Sequence, residues 1–263
     1  MLDSPQPRHQ ATASVSRTPR TASGRLMRNI LPCLHSALLR GSAVLLLGLV
    51  ALAILAAIPI AIFRNVDPPS SMLMLAQRID GQAIDQRWVP LSRISPNLVR
   101  AVIASEDNQF CLHNGVDLRE FEAVLEKVEQ AGEDGVRGGS TITMQVAKNL
   151  FLWKSRSIVR KAIEIPLALG LEQMWPKERI MEVYLNIAEW GPGIFGAEAA
   201  AQHHFRKPAS RLTEREAALL AVALPNPLIR VPSRPNAIVV KVGAVVERRA
   251  RLVGSRAACV LGR

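Results

Sequence analysis

Apolar residues are unevenly spread along the chain, and their longest run sets the first element. Residues 41–63, GSAVLLLGLVALAILAAIPIAIF, carry no charged side chain, and a helix of that length crosses about 30 Å of hydrocarbon. The pattern predicts a membrane-spanning helix. A cleaved signal peptide is the rival reading, but the run is longer than the usual apolar core of one and no small-residue cleavage site follows. A retained anchor is therefore expected. Residues 1–25 are rich in Ser, Thr, Pro and Arg and have little to bury, so 1–40 is expected to be a disordered basic tail. Asp67-Pro68-Pro69-Ser70-Ser71 has turn-forming composition, which makes 64–89 a linker and the start of a folded region whose main body is 90–263.

Beyond residue 90, apolar positions recur at helical spacing between Gly and Pro. Ser95 followed by Pro96 predicts an N-cap and first helical residue opening NLVRAVIASED. Ser140, after Gly138 and Gly139, is expected to cap TITMQVAKNLF, and Pro176 to start KERIMEVYLNIAEW. Pro166 should kink the helix through SIVRKAIEIPLALGLEQMW, because proline lacks an N–H and crowds the preceding turn. Thr213-Glu214-Arg215-Glu216 predicts a capping box before AALLAVAL, with Pro225-Asn226-Pro227 as the stop. A last helix is expected near Val239–Leu252, and the basic end of the chain receives no role. Hydrophobic residues make up 49% of the 263 but aromatics only 4%, an aliphatic bias that favours helices over a β-sandwich. The fold class is mainly α, with one catalytic domain.

Charge narrows the partners. Of the formal +11, residues 1–64 carry +6 (seven Arg, no Lys, one Asp), which leaves +5 for the rest. Arg8, Arg17, Arg20, Arg25, Arg28 and Arg40 precede the apolar run against Asp3 alone, so the positive-inside rule puts the N-terminus in the cytoplasm and the folded part outside. The moderate remainder suits a diphosphate-bearing substrate at an anionic membrane surface. It argues against nucleic acid, for which no interleaving of basic and aromatic residues is present. The three cysteines, Cys33, Cys111 and Cys259, form no CxxC or His/Cys cluster. Cys111 and Cys259 could share an oxidising compartment, but their distance cannot be read from spacing, so pairing stays open.

Four clusters could carry chemistry. Glu106 and Asp107 end an apolar helix and lead into Asn108, Gln109, Phe110, Cys111, Leu112 and His113. A carboxylate where a buried helix opens into a loop can be desolvated and its pKa raised, as a general base near neutrality requires. The plainer alternative is a solvated acidic pair. In Arg137-Gly138-Gly139-Ser140-Thr141, glycines permit close approach and the new helix aims N–H groups forward, while Thr141, Gln145 and Lys148 share a face. That combination suits a phosphate; an ordinary glycine turn with a solvated face is the alternative. Arg160 and Glu164 stand four apart with Lys161 beside them, before the nearly all-apolar stretch 163–171. They form a surface ion pair unless that face is buried. Tyr184, the only tyrosine, and Asn186 are expected to make buried hydrogen bonds that position the other clusters. His203 and His204 have no acidic companion and read as helix-end residues, not metal ligands.

Taken in order, EDNQFCLHNGVD, GGSTITMQVAKN, RKAIE, EVYLN and LTEREAALLAVALPNP closely resemble the motifs of the peptidoglycan glycosyltransferase family over roughly residues 90–230. KNLFLW, LNIAEWGPGIFGAEAAAQ and KPAS are similar to its monofunctional biosynthetic branch. Met144 stands where many members have a second Gln. The resemblance implies a lysozyme-like α fold with a cleft between a head and a membrane-embedded jaw. It implies Glu106 as general base, with Glu164 the second acidic residue, holding a divalent metal (Mg or Mn) or ordering the leaving group. Lys148, Arg160 and Lys161 would stabilise the diphosphate. Asp107, Phe110, His113, Ser140, Thr141, Gln145 and Asn186 complete the implied substrate site.

The implied partners are lipid II, the growing glycan strand and the membrane, with transpeptidases and division proteins as candidate recruiters. Confinement to a surface raises the effective concentration of both reactants. A glycan-cleaving enzyme of lysozyme or lytic transglycosylase type would need no cationic site, and a silent wall-binding scaffold would not need Glu106 and Glu164. No Ser-x-x-Lys nucleophile motif occurs, and little chain follows residue 230, so no transpeptidase activity is expected.

Overall fold

A computed structural model describes residues 23–119, 122, 139–153 and 157–262. Arg137 and Gly138, and most of the expected N-terminal tail, lie outside the described residues. The chain divides into two compact units, Met1–Ile54 and Leu55–Arg263. Helix α1, Ser23–Phe63, makes up the described part of the first and continues into the second. It starts well before the expected 41, so residues 23–40 are helical and not tail. Their apolar residues, in LMRNILPCLHSAL, already recur at helical intervals. Leu39–Phe63 is long and apolar enough to cross a membrane, and its Leu45, Leu47 and Leu52 are exposed.

After the end of α1 the second unit continues with α2, Met72–Ile79, capped by Ser71, whose hydroxyl accepts from Met74 N–H at 3.2 Å. Strand β1, Asp85–Gln86, and a 3₁₀ turn at Leu91–Arg93 follow. Residues 72–89 thus pack into the folded body instead of leading up to it: Met74 is fully buried, and Gln77 Nε2 donates to Glu189 at 3.0 Å. Helix α3, Pro96–Glu106, has Ser95 as N-cap and Pro96 in its first turn, as the sequence requires. Helix α4 is Ile142–Phe151, and its cap is Thr141, one residue later than expected; the Thr141 hydroxyl accepts from Met144 N–H at 3.1 Å. Helix α5, Ile158–Met174, runs through Pro166 without a break.

Helix α6, Lys177–Ile187, ends before Glu189, because the chain turns into strand β2, Glu189–Gly191. Strand β3, Ile194–Phe195, pairs antiparallel with β2 and parallel with β1, in register Asp85 with Ile194. Helix α7, Ala197–Phe205, precedes α8, Glu214–Ala223, where both bonds of the Thr213–Glu216 capping box are present. Helix α9, Ala237–Arg251, is capped by Asn236, and a 3₁₀ turn at Gly254–Ala257 leads into the short α10, Ala258–Leu261.

Packed helices build one core. α8 is buried along Ala217–Ala223 and packs on α3 and α9, while α4 packs on α5 and α6. The small alanines of α8 let neighbouring backbones approach closely. Leu98, Ile103, Ile142, Met144, Ile180, Met181 and Leu185 are fully buried, each worth about 1.5–3 kcal/mol. Trp190 Nε1 donates to Leu220 O at 3.1 Å, and Trp175 Nε1 to Ile60 O at 2.7 Å, so the last turn of α1 is tied into the body. Arg179 reinforces that tie by donating to Phe63 O and Val66 O.

Candidate active site

The packing of α3 against the body delivers Glu106, its last residue, to the wall of a cavity of about 1050 Å³. Asn108, Gln109, Leu112, His113, Ile165, Leu169 and Arg249 line the same space. Burial raises the Glu106 carboxyl above its ordinary value, while a hydrogen bond from Gln145 and the charges of Lys148 and Arg230 pull it partly back. Gln145 Nε2 donates to Glu106 Oε2 at 3.0 Å, and Tyr184, fully buried, donates its hydroxyl to Gln145 Oε1 at 3.2 Å. Burial, then the charges of Glu106 and Asp107, push the Tyr184 phenol well above its usual range, so it remains a donor. The amide of Gln145 is thereby fixed with its NH₂ toward the carboxylate.

One helical turn further along α4, the Lys148 ammonium makes no side-chain hydrogen bond or salt bridge among the described residues and interacts with Glu106 and Arg160 through charge alone. Burial and the neighbouring Arg160 depress its pKa, and Glu106 partly restores it. Arg160 donates to Glu164, and Lys161 Nζ lies 3.6 Å from the other Glu164 oxygen and donates to Ser140 Oγ at 2.9 Å. Burial lowers Arg160 and Lys161 as well, and Lys148 and Arg160 repel Lys161. Arg160 Nε is buried without a hydrogen-bond partner among the described residues. Three crowded cations against the single carboxylate of Glu164, with a donor left over, form a site electrostatically suited to an anion.

Glu164 itself is only 2% exposed and faces cations with both oxygens. Among the described residues no group of three His, Cys, Asp or Glu side chains is placed to hold a metal. A divalent cation held by the protein at Glu164 would have to displace Arg160 and Lys161, so these residues do not fit one.

A supporting network joins the cavity wall to the interior. Asp107 Oδ2 accepts from Ile142 N–H at 2.9 Å, which satisfies the start of α4. His113 Nε2 lies 2.9 Å from both Asp107 oxygens, while Gly115 N–H donates to His113 Nδ1 at 3.1 Å; the ring proton is therefore on Nε2. Thr141 Oγ1 donates to Gly115 O at 2.5 Å. Lys177 sits 4.4 Å over the Phe110 ring and donates to His113 O and to Glu172, which also accepts from Thr143. Gly115 adopts φ +90, and a Cβ there would meet Glu172 Cγ at 2.8 Å.

Glu106, Gln145, Lys148, Arg160, Lys161, Glu164 and Ser140 are thus brought into one connected set. Of the residues expected to bind substrate, Asp107 and His113 line the cavity with Glu106, while Phe110 and Thr141 are buried and support the wall from behind. Asn186 makes the buried hydrogen bonds expected of it, and it does not line the cavity as the resemblance implied. It is fully buried, and its amide exchanges bonds with Val89 (3.0 and 2.9 Å) and donates to Glu182 O at 2.8 Å, leaving nothing for a substrate. Sequence reasoning missed Glu172, Lys177, Arg230 and Arg249. Glu172, Lys177 and Arg230 lie in or beside the expected helices but outside the motifs, and their roles come from partners on other elements; only the basic character of the chain end hinted at Arg249.

A helical body that sets a desolvated carboxylate beside crowded cations suits proton transfer on a substrate that carries an anionic group. The chain belongs to the transglycosylase family, whose model matches residues 73–254. It is 53% identical to a biosynthetic peptidoglycan transglycosylase of Agrobacterium fabrum over 193 residues, which cover 73% of this chain and 84% of the relative. It is 50% identical to one from Rhodospirillum centenum over 227 residues (85% and 96% of the two chains) and 49% identical to one from Brucella suis over 193 (73% and 85%).

Proposed function

We propose that Glu106 is the general base of a peptidoglycan glycosyltransferase that extends glycan strands from lipid II in cell-wall synthesis. The acceptor's C4 hydroxyl gives its proton to the Glu106 carboxylate, its oxygen forms a bond to C1 of the growing strand, and the bond from C1 to the lipid diphosphate breaks. The configuration at C1 inverts and undecaprenyl diphosphate leaves. A raised pKa strengthens Glu106 as a proton acceptor near neutrality, and Gln145 holds the accepting oxygens in place. Lys148, Arg160 and Lys161 receive the charge that develops on the leaving diphosphate.

The observation that carries this reading is that one helix, α4, presents both Gln145, bonded to Glu106, and Lys148, whose charge acts on Glu106. Base and cation are therefore held at fixed separation before substrate arrives. A glycan-cleaving enzyme has no use for the cationic half. Any divalent cation, magnesium or manganese, is proposed to come with the substrate's diphosphate, and no step here runs through it. Tests of the reading are glycan polymerisation by the purified full-length protein from lipid-linked disaccharide, and its loss in Lys148→Ala.

The arginine-rich flank and the span at Leu39–Phe63 support a single-pass inner-membrane protein with its N-terminus in the cytoplasm and its catalytic body in the periplasm. A disulfide between Cys111 and Cys259 agrees with that side, since disulfides persist in oxidising compartments. Transpeptidases and division proteins are proposed partners, because crosslinking the strands needs an activity for which this chain has no motif. Recovery of neither class by pull-down from membranes would count against them.

A further inference from the structure

Nothing in the proposed reaction uses the segment after α9, yet a disulfide and a hydrogen bond tie it to the loop that lines the catalytic cleft. Cys259, on α10, is disulfide-bonded to Cys111 in the loop that follows Glu106, with Cα atoms 5.6 Å apart and 148 positions between them in sequence. Arg256 Nη1 donates to Asn108 Oδ1 at 3.0 Å. Arg249, from the last turn of α9, lines the cavity together with Glu106 and Asn108.

The base and this wall have different supports. Glu106 is fixed by α3 and by Gln145 on α4. The face formed by Asn108, Gln109 and Leu112 is anchored through Cys111 and Asn108 to the C-terminal segment. Loosening the second support should therefore change how the cleft fits substrate and leave the proton-transfer group as it was.

We propose that Cys111, Cys259 and Arg256 are positioning residues: they clamp the loop 108–112 to the C-terminal segment so that the cleft is preformed for the glycan, and opening the disulfide weakens substrate binding. This rests on the cleft being the glycan site argued above. A preformed wall lowers the ordering entropy that binding must supply, and a cross-link spanning so much chain holds it even where local contacts are few. Since the bond forms outside the cytoplasm, the wall is completed only after export.

The test uses the full-length oxidised protein in detergent. KM, kcat and the pH profile are measured for wild type, Cys111→Ser/Cys259→Ser, Arg256→Ala and Arg256→Lys. Wild type is also measured after dithiothreitol, which supplies two electrons and two protons to the disulfide and closes to its own cyclic disulfide. The double variant and the reduced wild type should show KM raised by about two- to tenfold, the scale of ordering one side chain on binding, with the acidic limb of the profile unmoved. Arg256→Ala should move KM the same way, Arg256→Lys should recover part of it, and dithiothreitol should do nothing further to the double variant. If the double variant fails to fold, reduced wild type and Arg256→Ala carry the decision. An unchanged KM accompanied only by a lower melting temperature would overturn the proposal. An oxidised wild type that makes no glycan would instead sink the functional reading, and this inference with it.

Discussion

Glu106→Gln replaces one carboxylate oxygen by an NH₂ group and alters little else. The remaining oxygen can still accept from Gln145 Nε2, which now lies 3.0 Å from Glu106 Oε2. The variant therefore keeps the fold and the hydrogen bond while losing the ability to take a proton. General-base catalysis contributes about 10²–10⁴-fold, so kcat should fall by that factor, or about 2.7–5.4 kcal/mol at about 1.36 kcal/mol per decade. Stability should move the other way. Burial raises the folded pKa of Glu106 above 4.5, and a raised acid contributes stability that is fully present below its unfolded pKa and lost as pH rises through the folded value. The uncharged amide carries no such loss. The variant should melt above wild type at neutral pH, and the gap should close below about pH 4. Polymerisation of a fluorescent lipid-linked disaccharide gives kcat, and thermal unfolding in detergent at two pH values gives the rest. A kcat within tenfold of wild type would refute Glu106 as the base; a lower melting temperature at neutral pH would refute its desolvation.

Other substitutions probe the supports. Lys148→Ala should lower kcat by about 10²–10³, the scale of losing one preorganised group at a developing charge, with thermal stability kept; unaltered kinetics would place the diphosphate elsewhere. Arg160→Ala leaves Glu164 buried with Lys161 alone and should destabilise by about 3 kcal/mol, read by denaturant titration. Gly115→Ala forces a Cβ against Glu172 and Ala168 at φ +90 and should destabilise by about 1–3 kcal/mol; a neutral effect would show the loop to be adaptable. Asn186→Ala should lower stability by about 1–3 kcal/mol through the unpaired Val89 N–H, while KM per folded molecule stays at the wild-type value.

Much of this architecture was legible because it is locally encoded. Ser95-Pro96 and the Thr213–Glu216 box mark helix starts by side-chain chemistry that needs no distant partner. The start of α4 slipped from Ser140 to Thr141 because Ser140 bonds Lys161 on another helix, leaving Thr141 to cap. The end of α6 was overestimated because β2 is formed by pairing with β3, a non-local event. In the site, the Glu106, Lys148 and Arg160 groups could be picked out by their motifs. That Asn186 pairs with the backbone of Val89 could not, since 97 positions separate them. For the same reason the pairing of Cys259 with Cys111, and Arg249 at the cleft, emerge only in the folded chain.

The pH dependence of kcat/KM, which reports the free enzyme, joins both halves of the site in one measurement. With Glu106 as base, the acidic limb of wild type should lie above the ordinary carboxylate value of 4.5. Lys148→Met removes a positive charge that favours the ionised carboxylate, so the limb should move further toward high pH. A wild-type limb at the ordinary value, or one that Lys148→Met leaves in place, would contradict the pairing of this base with this cation.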